Sequence, residues 1–395
     1  MTRDERVWLA VTIVLAGFLC AVAYHYHLGN HTQLGYPFET FLFRPADAVM
    51  DYYNILDATR GLDPYASRLA VYFPLTYVPF ALLLPLPRQV GLLVFIAFFT
   101  IVTLHFMARQ LAFLEAYQRR AATIALSLPT YPFLFCVDRA NVEMIVFALL
   151  CFFFLAFERE RWKTAAFWLA CATAMKLYPG VFAILFLRRK QYRAFFASIA
   201  FTIGLSLASV FLYDGGLTRA VRGMAANLAF FHDGYILGYD GFRFNSSWFG
   251  ALRFLAEMYA PDLAARAAGF ILPYTIVCIL LFAVIAMVVV RRKDMPFWQQ
   301  VMLLCFPMIL FPEVSFDYKL IHCLFPIAFF VKAQETTPRD RVFAVLLSVL
   351  LIPMAYVWLD GGSDVNIGIF LHPALMTILM LLAIAPERVH ASRTV

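Results

Sequence analysis

Apolar residues come in long blocks separated by short polar runs. After the polar start Met1–Arg6, one apolar run extends from Val7 to about Tyr26, and further blocks occupy 89–113, 121–137, 142–157, 164–175, 178–187, 194–213, 266–290, 296–311, 320–332, 340–358 and 366–385. A helix that crosses a bilayer needs roughly 20 such residues, so the pattern predicts an all-α polytopic membrane protein with about 12 transmembrane helices, some short or broken. The first block has no small-residue cleavage site behind it and reads as a retained span, not a signal peptide. The blocks 164–175 and 178–187 are too short to cross alone and read as half-helices meeting at Lys176-Leu-Tyr-Pro179.

The charges between the blocks give an orientation. With the N-terminus inside, the basic runs Arg3/Arg6, Arg119/Arg120, Arg159/Arg161/Lys163, Arg188/Arg189/Lys190/Arg193, Arg291/Arg292/Lys293, Lys332/Arg339/Arg341 and Arg388/Arg393 all fall in the cytoplasm. Most acids fall outside, and basic loops stay inside, so both termini are expected in the cytoplasm. A continuous helix over 164–187 would push one basic loop outward, and the half-helix pair removes that conflict. Two outer loops are long, roughly Leu28–Arg88 and Asp214–Arg266, and long loops in a tight membrane protein usually carry function. Within the first, Tyr72–Pro85 is apolar, Pro-broken and short, which suits a helix at the outer interface. No fixed-period repeat is visible, which weighs against inverted-repeat transporter folds.

Composition agrees with the blocks. Of 395 residues 63% are hydrophobic and 14% charged, against about 25% charged in soluble domains, which excludes a cytosolic enzyme or a secreted module. The net charge of +7 sits in the loops and not on one soluble face, so no nucleic-acid partner is implied. Seven cysteines lie scattered through apolar blocks without a Cys-x-x-Cys pair and read as reduced packing residues. Asp-x-Asp and Rossmann glycine patterns are missing, so a nucleotide-sugar enzyme is not expected; no bound metal is expected either, and no cofactor is implied.

Candidate chemistry concentrates in the first outer loop. The run Asp47–Thr59 lacks Gly and Pro and predicts a helix with Asp47 and Asp51 on one face, Gly61 as its C-cap and Asp63-Pro64 as the turn that follows. A carboxylate partly desolvated at a membrane surface can take a proton from a hydroxyl, while taken alone the same acids read first as ordinary groups on a solvated helix. Lys176 in an apolar stretch is costly and points either to function or to pinning a half-helix end. Arg139 reads as a functional cation, as the partner of Asp138, or as an interface anchor. Asn30-His-Thr32 and Asn245-Ser-Ser247 match glycosylation sequons, which arise often by chance. Tyr52, Tyr53, Tyr65, Trp248 and Tyr318 are the aromatics placed to stack on a ring-shaped ligand.

Asp47, Gly61-Leu-Asp-Pro-Tyr65 and Tyr72-Phe-Pro74 together resemble the opening signature of glycosyltransferase family 87, multi-spanning polyprenyl-phosphate-sugar transferases of the C-type fold. The resemblance continues through Asp138-Arg-Ala-Asn141, Lys176-Leu-Tyr-Pro179 with Arg188-Arg-Lys190, Asn245-Ser-Ser247 with Arg253, and Pro312-Glu-Val-Ser-Phe-Asp317-Tyr-Lys319. Two positions depart from the family pattern. Pro74-Leu75 stands for a Pro-Pro, and Tyr318-Lys319 stands where many members have paired His, with His322 one turn beyond.

The resemblance implies one integral-membrane glycosyltransferase domain over 1–395. Its first outer loop covers 28–88, a membrane core 89–213, a second outer loop 214–266 and C-terminal helices 267–395. It implies a polyprenyl-phosphate-linked sugar donor, a lipid or glycan acceptor and membrane lipids as partners, in a bacterial inner membrane with the site facing outward. Asp47 is then the general base and Asp51 the second choice. Lys319, His322, Lys176, Arg139 and Arg243 would hold the donor phosphate, and Tyr65, Asn141, Asn245, Asp317 and Tyr318 would line the substrate. A transporter or flippase of a lipid-linked sugar is the rival reading, since a broken helix at Lys176 suits it too. A non-catalytic scaffold for envelope assembly has no positive feature in its favour.

Overall fold

The computed structural model describes residues 1–31, 49–61, 63–68, 70–214, 216–353, 359 and 365–385, and among these it is helical without a strand. In chain order the helices are α1 (Arg3–His31), α2 (Met50–Arg60), α3 (Tyr77–Ala81), α4 (Arg88–Gln110), α5 (Ala116–Ala125), α6 (Tyr131–Arg139), α7 (Glu143–Glu158), α8 (Trp162–Met175), α9 (Ile184–Arg188), α10 (Tyr192–Val210), α11 (Gly216–Phe231), α12 (Trp248–Tyr259), α13 (Pro261–Ala264), α14 (Ala267–Arg291), α15 (Phe297–Leu310), α16 (Leu324–Lys332), α17 (Asp340–Val349) and α18 (Gly368–Ile384).

Among the described residues four stretches are long and apolar enough to cross a membrane: Arg3–His27 of α1, then α4, α10 and α14. Much of their surface is turned outward, with Leu93, Ile101, Phe196, Ile203, Leu272 and Ile279 all exposed. So broad an apolar belt is stable where lipid is the solvent. The central helices are built differently. α15 is buried without a break from Trp298 to Leu310, and α7 is buried over most of its length. A helix apolar all round belongs inside a bundle, where its neighbours replace lipid, so it can be short. At 1.5 Å per residue α7 spans about 24 Å.

Several expected spans are broken. The block 121–137 becomes α5 and α6, because Pro129 lacks an N–H and Pro132 favours the first turn of a new helix. The break at Lys176 is present: α8 ends at Met175, Lys176 is extended at φ −147° and ψ 132°, and a 3-10 turn Tyr178–Ala183 leads into α9. The block 320–332 starts as a 3-10 turn, Asp317–Cys323, before α16. α17 ends at Val349, and 354–358 of the predicted block 340–358 lie outside the described residues. In the Tyr72–Pro85 stretch, a 3-10 turn Pro74–Thr76 runs into α3. α2 begins at Met50, and Gly61 at its C-cap is extended at φ −80°, not left-handed, so that position does not require glycine's freedom.

The expected inner loops gather at one end of the bundle. Arg6, fully buried, pairs with Asp340 at 2.6 Å and donates to the carbonyls of Phe330 and Ala333 at 3.1 and 2.9 Å. Lys332 meets Glu158 at 2.5 Å, Arg188 donates to the carbonyls of Arg292 and Lys293, and Arg339 to that of Leu382. Glu143, at the other end of α7, belongs to the opposite side, where the two long loops meet.

Candidate functional site

At that side a cavity of about 320 Å³ opens between the two long loops, with walls from α2, the Arg68–Tyr72 segment, the end of α6, the end of α11 and the turns around Tyr235, Arg243 and Tyr318. The volume suits a small ligand or one sugar ring. Of the non-glycine residues in the left-handed region, Phe244 (φ 51°) lines the cavity, Val49 (φ 57°) precedes α2 and Ala140 (φ 46°) follows α6 beside lining residues, while Glu160 and Lys190 lie in loops elsewhere. Such backbone is costly for a side chain and tends to collect at functional sites.

α2 presents its face to the cavity for a simple reason of periodicity. Tyr52, Ile55 and Leu56 are buried, Tyr52 against Phe80 and Phe95 at 5.8 and 5.5 Å between ring centres, which leaves Asp51 and Asn54 toward the cavity. Arg139 Nη2 donates to Asp51 Oδ1 at 3.1 Å, and Asn141 Nδ2 to Asp51 Oδ2 at 2.8 Å. The left-handed Ala140 makes this possible, because it turns the chain so that residues on both sides of it reach the same carboxylate. Asn141 Oδ1 in turn accepts from the Glu143 N–H at 3.0 Å, the first of α7.

Beneath the wall lies a buried ionic cluster centred on Glu143, which is fully buried. Its Oε2 meets Lys176 Nζ at 2.6 Å, and its Oε1 accepts from Tyr178 and lies 2.6 Å from His322 Nε2. The Lys176 ammonium also stands 5.0 Å from the Tyr72 ring centre and 5.2 Å from that of Tyr318. The extended backbone at Lys176 is what drops its side chain toward Glu143 instead of continuing α8.

Of the residues named from sequence, Asp51, Arg139, Asn141, Arg243 and Tyr318 line the cavity. Asp47 lies outside the described residues. Lys176 and His322 do not reach the wall, since Glu143 engages both. Lys319 is also off the wall, its ammonium 5.0 Å over the Tyr178 ring. Tyr65 is buried and donates to the Tyr72 carbonyl at 2.9 Å. Asn245 pins two segments together, accepting from Ser247 and Ser315 N–H at 2.9 and 3.0 Å and donating to the Gly241 carbonyl at 2.7 Å. Asp317 accepts from Ser246 at 2.6 Å and from Tyr131, buried beside His372. Tyr65, Asn245 and Asp317 therefore brace the loops and stand away from the cavity. Trp248 donates to Thr377 at 2.9 Å, and Arg253 to the Ile236 and Gly238 carbonyls.

Residues not singled out from sequence complete the site: Arg68, Tyr235 and Asp240 on the wall, and Glu143 below it. Glu143 carried a readable signal, a carboxylate opening an apolar helix, which is expensive unless paired. The other three are ordinary loop residues, and nothing in the chain order marks them. No group of three or more metal-ligating side chains occurs among the described residues. The sequence model of glycosyltransferase family 87 matches residues 70–312, which include the wall from Tyr72 to Phe244 and the Glu143–Lys176 pair. A comparison with curated proteins finds no match.

Proposed function

The chain belongs to glycosyltransferase family 87, and on that premise we propose that it moves a sugar, mannose or another hexose or pentose, from a polyprenyl-phosphate-linked donor to a lipid or glycan acceptor. The whole chain acts as one membrane-embedded catalytic unit of about 12 crossings, in a bacterial inner membrane with the cavity outside. The acceptor oxygen attacks the sugar C1, the bond from C1 to the phosphate oxygen breaks, polyprenyl phosphate departs, and the acceptor proton passes to a carboxylate. Such a donor brings its own leaving group, so the protein must supply a base and positive charge for the phosphate.

The observation that carries this reading is the cavity wall, where Arg68, Arg139 and Arg243 converge with Asp51 and Asp240 among aromatic rings. Guanidinium groups suit a phosphate because their N–H forks match its oxygens. Asp51 has both oxygens engaged, accepting from Arg139 and from Asn141, and so it orients Arg139. The base is therefore assigned to Asp47, two residues before Val49 in the chain, with Asp51 in support. Arg139 and Arg243 hold the donor phosphate. Lys176 and His322 hold the floor through Glu143, and Lys319 adds positive charge beside Tyr178. Asn141 and Tyr318 complete the wall against the substrate.

The test uses the purified full-length protein with a radiolabelled polyprenyl-phosphate sugar and a membrane-lipid acceptor extract. Asp47→Asn should abolish transfer while donor binding persists, because the amide keeps the shape and cannot take the proton. Asp51→Asn should be milder. Wild-type turnover by Asp47→Asn would remove the base assignment, and vectorial movement of intact donor with no transfer would favour the transporter reading.

A further inference from the structure

Opposite α2, the cavity wall is made by a turn of unusual construction. Residues His232–Ile236 form a π-helical turn at the end of α11, and such turns recur at functional sites. The turn is held from behind by Arg253, 6% exposed, whose guanidinium donates to the carbonyls of Ile236 and Gly238 and lies 3.9 Å from the Phe242 ring centre. The chain after it leaves no space for a side chain at two glycines. A Cβ at Gly238 would stand 2.1 Å from the Gly234 carbonyl oxygen, and one at Gly241 1.6 Å from that of Tyr235. A buried arginine and two obligatory glycines mark a turn built to one shape.

That shape delivers two side chains to the cavity. Tyr235 stacks on Phe231 at 4.8 Å and 22° and meets Phe316 edge-on at 5.8 Å. Asp240, half-exposed, pairs with Arg243 Nη1 at 3.3 Å. Burial first, then the carboxylates of Asp240 and Asp51, raise the Tyr235 phenol above its ordinary value, so it stays a neutral hydroxyl at neutral pH. The placement of Asp240 needs a reason. An acid beside a guanidinium that receives a phosphate repels that phosphate, and the repulsion is offset if the acid orients the guanidinium, as Asp51 does Arg139, or bonds another part of the same ligand; Asp240, half-exposed on the cavity wall, is placed for the second. In a sugar phosphate ester the first ring hydroxyls lie within about one ring diameter of the phosphate, within reach of such a neighbour.

We propose that Tyr235 and Asp240 are the specificity-determining residues for the donor sugar, Tyr235 as the aromatic wall against its C–H face and Asp240 as acceptor for its hydroxyls. This rests on the glycosyltransferase reading above and names which part of that site reads the sugar. A carboxylate built to accept from a hydroxyl discriminates against ligands that lack it or point it elsewhere.

The experiment measures Kd of the purified full-length protein for polyprenyl-phosphate mannose, polyprenyl-phosphate glucose and sugar-free polyprenyl phosphate. In the wild type the better sugar ester should bind more tightly than the sugar-free lipid. Asp240→Asn should weaken that ester about 10-fold and leave sugar-free polyprenyl phosphate unchanged or tighter, since one repulsive charge is gone. Tyr235→Ala should weaken the ester about 10-fold, and Tyr235→Phe less, because the ring remains. A bracing role alone would shift all ligands in the same direction. Equal weakening of esters and sugar-free lipid, no change in either, or a wild type that gains nothing from the sugar would overturn the proposal. A wild type that binds polyprenyl phosphate no better than polyprenol would instead overturn the function on which it rests.

Discussion

Replacing Glu143 by Gln keeps the shape of a fully buried side chain and removes its charge, so it isolates the cluster beneath the cavity. The carboxylate has two oxygens in use: Oε2 for Lys176 at 2.6 Å, and Oε1 for Tyr178 and for His322 at 2.6 Å. A Gln amide can turn its oxygen to only one of these sides and sets an N–H against the other. If the oxygen faces Lys176, the ammonium is still left without a counter-charge. Breaking a buried pair by removing one partner costs about 3–5 kcal/mol. Lys176 keeps its contacts with the rings of Tyr72 and Tyr318, each worth roughly 0.5–2 kcal/mol, which places the loss at the low end. We expect about 3 kcal/mol, or roughly 150-fold in the folding equilibrium. The assay is SDS-driven unfolding in mixed micelles, followed by the fluorescence of the six tryptophans. Adding Lys176→Met to Glu143→Gln removes both charges, and the pair should recover at least half of the loss, since an absent ion pair is cheaper than a broken one. A single variant within 1 kcal/mol of wild type, or a double variant less stable than the single, would refute the reasoning.

Three other outcomes are expected. Gly223→Ala should destabilise the fold by about 1–3 kcal/mol, because a Cβ there meets Tyr65 Cβ at 2.6 Å, whereas Gly269→Ala, with open space around it, should gain roughly 0.5–1 kcal/mol; thermal midpoints that move in the same direction would contradict this. A single cysteine at exposed position 57, in a background freed of the seven native ones, should react with an impermeant thiol reagent from outside; labelling only after permeabilisation would invert the topology. Transfer should persist in EDTA, since guanidinium groups are present to receive the phosphate; loss that magnesium or manganese restores would require a metal site.

The chain alone determined the membrane character, the all-helical class and the family, because length and polarity of each block are local properties that lipid reads directly. The break at Lys176 was legible for the same reason: a charge and a proline close together cannot continue an apolar helix. Asp51, Arg139 and Asn141 were legible as separate candidates, each in its own motif. That they share one carboxylate was not, because their meeting depends on a left-handed Ala140 and on the packing of α2 against Phe80 and Phe95. The split of 121–137 was missed because apolarity hid Pro129 and Pro132 inside a block that looked continuous. Lys176 and His322 looked like phosphate ligands only while Glu143 was one acid among 25 Asp and Glu. Glu143 lies 33 positions from Lys176 and 179 from His322, and no local pattern records which charges will neutralise one another. The same holds for Tyr235 and Asp240, which share the wall with Asp51, Arg68 and Tyr72 of the other long loop. Ion pairs and cavity walls are made between segments distant in sequence, so only the tertiary structure decided which cations pair with Glu143 below the cavity and which line its wall.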